Sequence, residues 1–99
     1  MDWVINNNFY IVTKTIVDLD YNIKTFTKVF KFKKAAIAYL TQEKDVLISK
    51  LIDKYEPGNY DNFEIEDYGK LTEEKNILMF EDYDGEILVK YELQNTILN

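Results

Sequence analysis

The side chains of this sequence able to do chemistry are carboxylates and phenols. Eighteen aspartates and glutamates stand beside eight tyrosines, there is no histidine and no cysteine, and all twelve basic residues are lysine. That inventory removes the commonest general base and metal ligand, the thiolate nucleophile, and the guanidinium fork that grips phosphate, guanine or carboxylate bidentately. What remains is carboxylate chemistry: an acid–base pair, a cation loop, or fixed negative charge offered to a basic partner.

The acids are not spread evenly. Residues 1–54 carry a net charge of +3 and residues 55–99 carry −9, within a total of −6. Eleven acids fall between Glu56 and Glu86, interleaved with Tyr60, Tyr68 and Tyr83 and flanked by Tyr55 and Tyr91. Alternate acids on strands and turns project at steps of roughly 6–7 Å, so Glu64/Glu66, Asp82/Asp84 and Glu86 are expected to present a regular negative row. Such a row competes with a polyanion for a basic groove. Glu64, Glu66, Asp67, Asp82, Asp84 and Glu86 are then the leading contacts, with Tyr60, Tyr68 and Tyr83 as rigid anchors. The plainer reading is a solvated acidic surface that keeps a small domain soluble.

Other chemistries fit less well. Asp82-Tyr83-Asp84-Gly85-Glu86 has the look of a calcium loop, but aligning it places Phe80 first and Tyr91 twelfth, where carboxylates are required. A hairpin turn explains the same residues. Acid–base catalysis needs neighbours that push two pKa values apart, and the three glycines, Gly58, Gly69 and Gly85, sit in turn contexts and cradle no phosphate. No enzyme, cofactor or metal is expected. Lys24, Lys28, Lys31, Lys33 and Lys34, interleaved with Phe26, Phe30 and Phe32, have the composition of a single-strand nucleic-acid surface. The expected strand register turns those rings into the core, which leaves the lysines as edge protection.

The elements that must position these groups follow from periodicity. Residues 9–19 and 23–32 read as a β-hairpin turning at Asp20-Tyr21-Asn22. A three-residue loop pairs Asp18 with Lys24, Ile16 with Phe26, Val12 with Phe30 and Tyr10 with Phe32, and sets Lys14 opposite Lys28, an unfavourable pairing that a bulge or snorkelling stems would relieve. Residues 33–55 read as a helix that Pro57-Gly58 ends, with a break near Thr41 as an alternative. Phe63–Tyr68 is a candidate short strand, followed by a turn at Gly69-Lys70 and one helical turn at Leu71–Lys75. Residues 76–83 and 86–93 form a second hairpin around Asp84-Gly85, a type I′ signal that pairs Leu78 with Tyr91, Phe80 with Val89 and Asp82 with Ile87 on an apolar face.

The expected fold is therefore α+β: an antiparallel β-sheet of two hairpins, with an optional fifth short strand, packed on one helix in the order ββα(β)ββ. Ninety-nine residues make a single domain, 1–99. The start at Met1-Asp2-Trp3-Val4-Ile5 lacks a signal-peptide pattern and there is no cysteine, so a cytoplasmic location is expected.

In length, in the acidic Glu56–Glu86 tract and in lysine-only, Asn/Ile/Tyr-rich usage, the chain resembles the small acidic proteins that phages and mobile elements encode against host defence nucleases, the anti-CRISPR and anti-restriction class. Bacterial immunity proteins that neutralise toxin nucleases are similar for the same physical reasons. The resemblance covers general character, and no residue roles carry over. It implies a cytoplasmic inhibitor that binds a protein partner with a basic surface, acting as a nucleic-acid mimic without contacting nucleic acid or membrane. The alternative is an interaction or scaffolding module, homodimeric through the outer hairpin faces, where Thr13, Thr15, Val17, Thr25, Thr27 and Val29 lie on one and Ile77, Met79 and Leu88 on the other.

Overall fold

A computed structural model describes residues 8–18 and 22–97. β-branched and aromatic residues alternate along Asn8–Val17 (β1) and Ile23–Phe30 (β2), which form the first hairpin. The helix α1 (Lys33–Tyr55) follows, then a 3-10 turn at Ile65–Asp67 and three strands, β3 (Gly69–Glu74), β4 (Ile77–Asp82) and β5 (Leu88–Ile97). All five strands join one antiparallel sheet in the order β2-β1-β5-β4-β3. The two hairpins meet at the centre, where β1 and β5 pair along ten residues from Asn8↔Ile97 to Val17↔Leu88. This is the α+β arrangement, one helix on an antiparallel sheet, that the hydrophobic pattern implies.

One face of the sheet meets α1. Val12, Leu78, Phe80, Val89, Tyr91 and Leu93 project from it and pack with Ala36, Leu47 and Leu51 of the helix and with Ile65. Burying a side chain such as Phe80 or Val12 contributes about 1.5–3 kcal/mol, and this core is what holds a helix with a poor start. Phe32 occupies the N-cap without a side-chain hydrogen bond, and the first turn holds no acid. Near the start of α1, Tyr39 meets Phe30 of β2, with ring centroids 5.3 Å apart, and Tyr55 at its end reaches Asp82 of β4.

The second hairpin has the register read from its alternation, from Ile77↔Glu92 to Glu81↔Leu88. Its turn differs. The Gly85 amide donates to the Asp82 carbonyl at 3.2 Å and the Asp82 amide to the Ile87 carbonyl at 3.2 Å, so the turn centres on Tyr83-Asp84, with Gly85 left-handed at φ 70.

Four expectations are corrected. The first hairpin pairs Tyr10 with Phe30, Val12 with Lys28, Lys14 with Phe26 and Ile16 with Lys24, two residues away from the expected register. The turn is displaced by one residue toward the N-terminus, with the Asp18 amide bonded to the Asn22 carbonyl and the Asn22 amide to the Asp18 carboxylate, so that residues 19–21 and not 20–22 separate the paired positions; Leu19, Asp20 and Tyr21 lie outside the described residues. Lys14 and Lys28 therefore never oppose each other and no bulge is needed. Lys14 instead sits 5.3 Å from the Tyr91 ring centroid and 3.8 Å from Glu43.

The fifth strand is Gly69–Glu74, not Phe63–Tyr68, and it turns into β4 at Lys75-Asn76. Gly69 fits there because an added Cβ would lie 2.5 Å from the Glu81 carbonyl oxygen and 2.6 Å from the Phe80 ring. The phenylalanines of the first hairpin are not all in the core: Phe30 is half-buried, but Phe26 is 54% and Phe32 67% exposed. Finally, α1 runs unbroken through Thr41, whose hydroxyl donates back to the Ile37 carbonyl at 3.1 Å instead of capping a second helix.

Candidate acidic binding surface

Four carboxylates of the expected surface are exposed where the chain leaves α1 and where β4 turns into β5: Glu64, Glu66, Asp67 and Asp84. Two bonds bring these separate segments together. The Tyr83 amide donates to the Tyr68 carbonyl at 3.1 Å and the Tyr83 hydroxyl to the Glu66 carbonyl at 2.7 Å. The β4–β5 turn is thereby docked on the 3-10 turn, through the residue that precedes Asp84. None of the four exposed acids is in an ion pair among the described residues.

Beneath this surface is an aromatic stack. Tyr68 lies between Tyr55, at 4.4 Å and 11°, and Phe63, at 5.6 Å and 7°. Its phenol pKa is raised, first by the Glu56 carboxylate and then by burial. Tyr68 is half-buried in this stack, with both ring faces covered. Tyr60 and Tyr83 are 59% and 68% exposed, although both hydroxyls are engaged, Tyr60 with the Asp53 carboxylate at 2.8 Å. Their ring faces remain available to a partner.

Asp82 is withdrawn from the surface. It is 5% exposed, and its carboxylate accepts from the Glu86 amide at 2.7 Å, the Ile87 amide at 3.3 Å and the Tyr55 hydroxyl at 3.2 Å. It holds the turn together, with its carboxylate turned away from solvent. Glu86 is half-buried and 3.9 Å from the Lys54 ammonium, so it contributes less free charge than Asp84. The Tyr55 phenol is pushed up to about 12, first by burial and then by Asp82, with Glu86 and Asp84 adding to it. The even row of acids expected from strand spacing is replaced by a cluster on two turns, because Glu66 and Asp67 are in a 3-10 turn and Asp82 faces inward.

The lysines of the first hairpin's end lie apart from this cluster, while Lys54 is beside it. Lys31, Lys33 and Lys34 stand at the start of α1 and Glu56 at its end, a separation of about 34 Å along a helix of 23 residues. A second feature was not legible in the sequence, since it arises only where the helix leaves the sheet corner open. It is an apolar cleft of about 220 Å³ between the C-terminal half of α1 and β1/β5, floored by Ile16, Leu51 and Val89 and edged by Lys14, Lys50 and Lys54. No carboxylate lines it. No helix among the described residues is long and apolar enough to cross a membrane.

No protein-family model matches the chain, and neither a curated protein nor a solved structure does.

Proposed function

We propose that this chain is a non-catalytic, cytoplasmic protein–protein inhibitor whose acidic end occupies the basic, nucleic-acid-binding surface of a target, a host nuclease or another defence protein. The observation that carries this reading is the bond from the Tyr83 hydroxyl to the Glu66 carbonyl. It fixes two acidic turns as one unneutralised surface, with the exposed rings of Tyr60 and Tyr83 available as anchors, and solubility alone requires no such docking. Glu64, Glu66, Asp67 and Asp84 are the charged contacts in this reading. The anti-CRISPR, anti-restriction and immunity classes are the kinds of protein that work this way.

The test is retention of nucleic-acid-binding proteins from a host lysate at low salt by the wild-type chain and by Glu66→Lys with Asp84→Lys. A retained protein whose nucleic-acid binding is blocked by the wild type, released by salt and ignored by the variant supports the reading. Equal retention by the variant, or retention indifferent to salt, defeats it.

A second reading rests on the sheet face that α1 leaves open. Ile11 and Val29 are paired neighbours there, as are Val17 with Ile23 and with Leu88, and Val29 and Ile23 are 56% and 67% exposed. A scaffolding module would cover this face with a second copy. Light scattering separates the two, because the inhibitor acts as a monomer while the module is a dimer.

A further inference from the structure

The free edge of the sheet at β2 points to a second interaction surface. The Asp18 amide bonds the Asn22 carbonyl, and ladder bonds alternate along an antiparallel pair. With the observed register, Lys24, Phe26, Lys28 and Phe30 therefore turn their backbone groups toward β1. Ile23, Thr25, Thr27 and Val29 turn theirs outward. Seven of the eight residues of β2 are exposed, Ile23 through Val29, so this edge lies beyond the cover of α1. It has no proline, one of the devices that blunt an edge.

Its side chains are selective about what pairs with it. On the helix side run Lys24, Phe26 and Lys28, and the Lys28 ammonium is held over the rings of Tyr39 and Phe30, 4.7 and 5.6 Å from their centroids. Neither lysine is in an ion pair among the described residues. β2 contains no acid. Pairing with the β2 of a second copy would gather four ammonium groups on one sheet face with nothing to neutralise them, which is unfavourable. The same lysines admit a strand of opposite charge.

We propose that β2 takes an extended acidic segment of a partner protein as a sixth strand. Residues directly opposite share a face, so the segment carries acids at two positions four apart, opposite Lys24 and Lys28, with an apolar side chain between them over Phe26. β-branched residues of the segment meet Thr25 and Thr27 on the other face. Main-chain bonds supply the affinity and the alternate side chains the choice of partner. No strand of this chain has the spacing acid, any, apolar, any, acid, so the occupant comes from another sequence.

The probe is a capped peptide, Thr-Glu-Val-Tyr-Val-Glu-Thr, with a control bearing lysine for glutamate, titrated into the isotope-labelled full chain. The glutamate peptide is expected to shift the amides of Ile23–Phe30 and to slow exchange at Thr25, Thr27 and Val29, while the control leaves both unchanged. Thr27→Pro removes an outward N–H and no bond to β1, a place where an edge tolerates proline, and is expected to weaken binding about tenfold or more. If that variant does not fold, Lys24→Glu with Lys28→Glu decides instead, by exchanging the preference between the two peptides. No shift at millimolar peptide, equal binding of both peptides, binding untouched by Thr27→Pro, or self-pairing of β2 in sedimentation each overturns the proposal. Because the probe reads β2 and not the acidic turns, its failure leaves the inhibitor reading standing, and the converse holds.

Discussion

The hydroxyl of Tyr55, the last residue of α1, donates to the buried carboxylate of Asp82 at 3.2 Å and ties the end of the helix to the β4–β5 turn. The same carboxylate accepts two turn amides, so one acid joins three parts of the fold. Asp82→Ala leaves those donors without their charged acceptor and is expected to lower stability by about 2–3 kcal/mol. Asp82→Asn, whose amide oxygen still accepts, should lose about half of that. Urea unfolding measures both, and a loss under about 0.5 kcal/mol for the alanine variant would show that water replaces the carboxylate.

Phenol ionisation is expected to limit the fold at alkaline pH. Tyr39, Tyr55 and Tyr91 are each pushed up to about 12, by burial first and then by carboxylates, Glu43 beside Tyr39 and Tyr91 and Asp82 beside Tyr55. An unfolded tyrosine titrates near 10, so at high pH the unfolded chain loses protons that the folded chain keeps. Stability from these groups is complete below pH ~10 and is lost as pH rises through 12. Phenolate absorbance should therefore rise in two stages, the second coinciding with loss of the helical circular dichroism. A single stage with the fold intact would contradict the assignment.

Gly69 and Phe80 share one space. A Cβ at position 69 would lie 2.6 Å from the Phe80 ring, and Phe80 is fully buried, so neither side can yield without repacking. Gly69→Ala should cost about 1–3 kcal/mol by overpacking. Phe80→Leu frees the space at its own cost, and the double variant should be more stable than the sum of the two losses implies. Strict additivity in thermal or urea unfolding would mean that the alanine is accommodated by movement of the β3 edge.

Tyr83→Phe separates the site from the fold. The variant keeps the ring and the backbone bond to Tyr68 and deletes only the hydroxyl bonded to the Glu66 carbonyl. The amides of residues 64–67 should exchange faster while the global unfolding midpoint stays put. If Glu66 and Asp84 act as one surface, salt-sensitive target binding should weaken in parallel with that exchange.

How much of this was legible in the sequence varies by element, for physical reasons. The second hairpin was readable in register because its alternation is strict, and even the error in its turn left the pairing unchanged. The first hairpin's expected register is two residues away from the observed one, and a slip of two keeps every side chain on its face; only the turn distinguishes the registers, and its sequence admits a centre at Asp20 as well as at Tyr21. β3 was missed because Gly69-Lys70-Leu71-Thr72-Glu73-Glu74 is a polar edge strand with one large apolar residue, Leu71. At the site, residue type alone groups Asp82 with the surface acids, although pairing with Ile87 on the apolar face signals burial. The docking of Tyr83 on Glu66 joins residues 17 apart through a carbonyl, which no side-chain pattern records.

The start of α1 is the place where a single substitution should strengthen the protein. Phe32 occupies the N-cap with extended dihedrals of −120° and 135° but makes no capping bond, and Lys33 and Lys34 follow it with no acid in the first turn. The cap is thus spent on a ring 67% exposed, and cations sit at the positive end of the helix dipole, where they are unfavourable by about 0.3–1 kcal/mol each. Phe32→Ser supplies an oxygen to an unpaired amide and should stabilise by about 1 kcal/mol; Lys34→Glu should add a few tenths more and lose that gain in high salt. Thermal unfolding at two salt concentrations distinguishes the contributions, since the cap bond is indifferent to screening and the charge term is not. A loss of stability in Phe32→Ser would mean that the exposed ring shields the first turn, and that its position there is the better local solution.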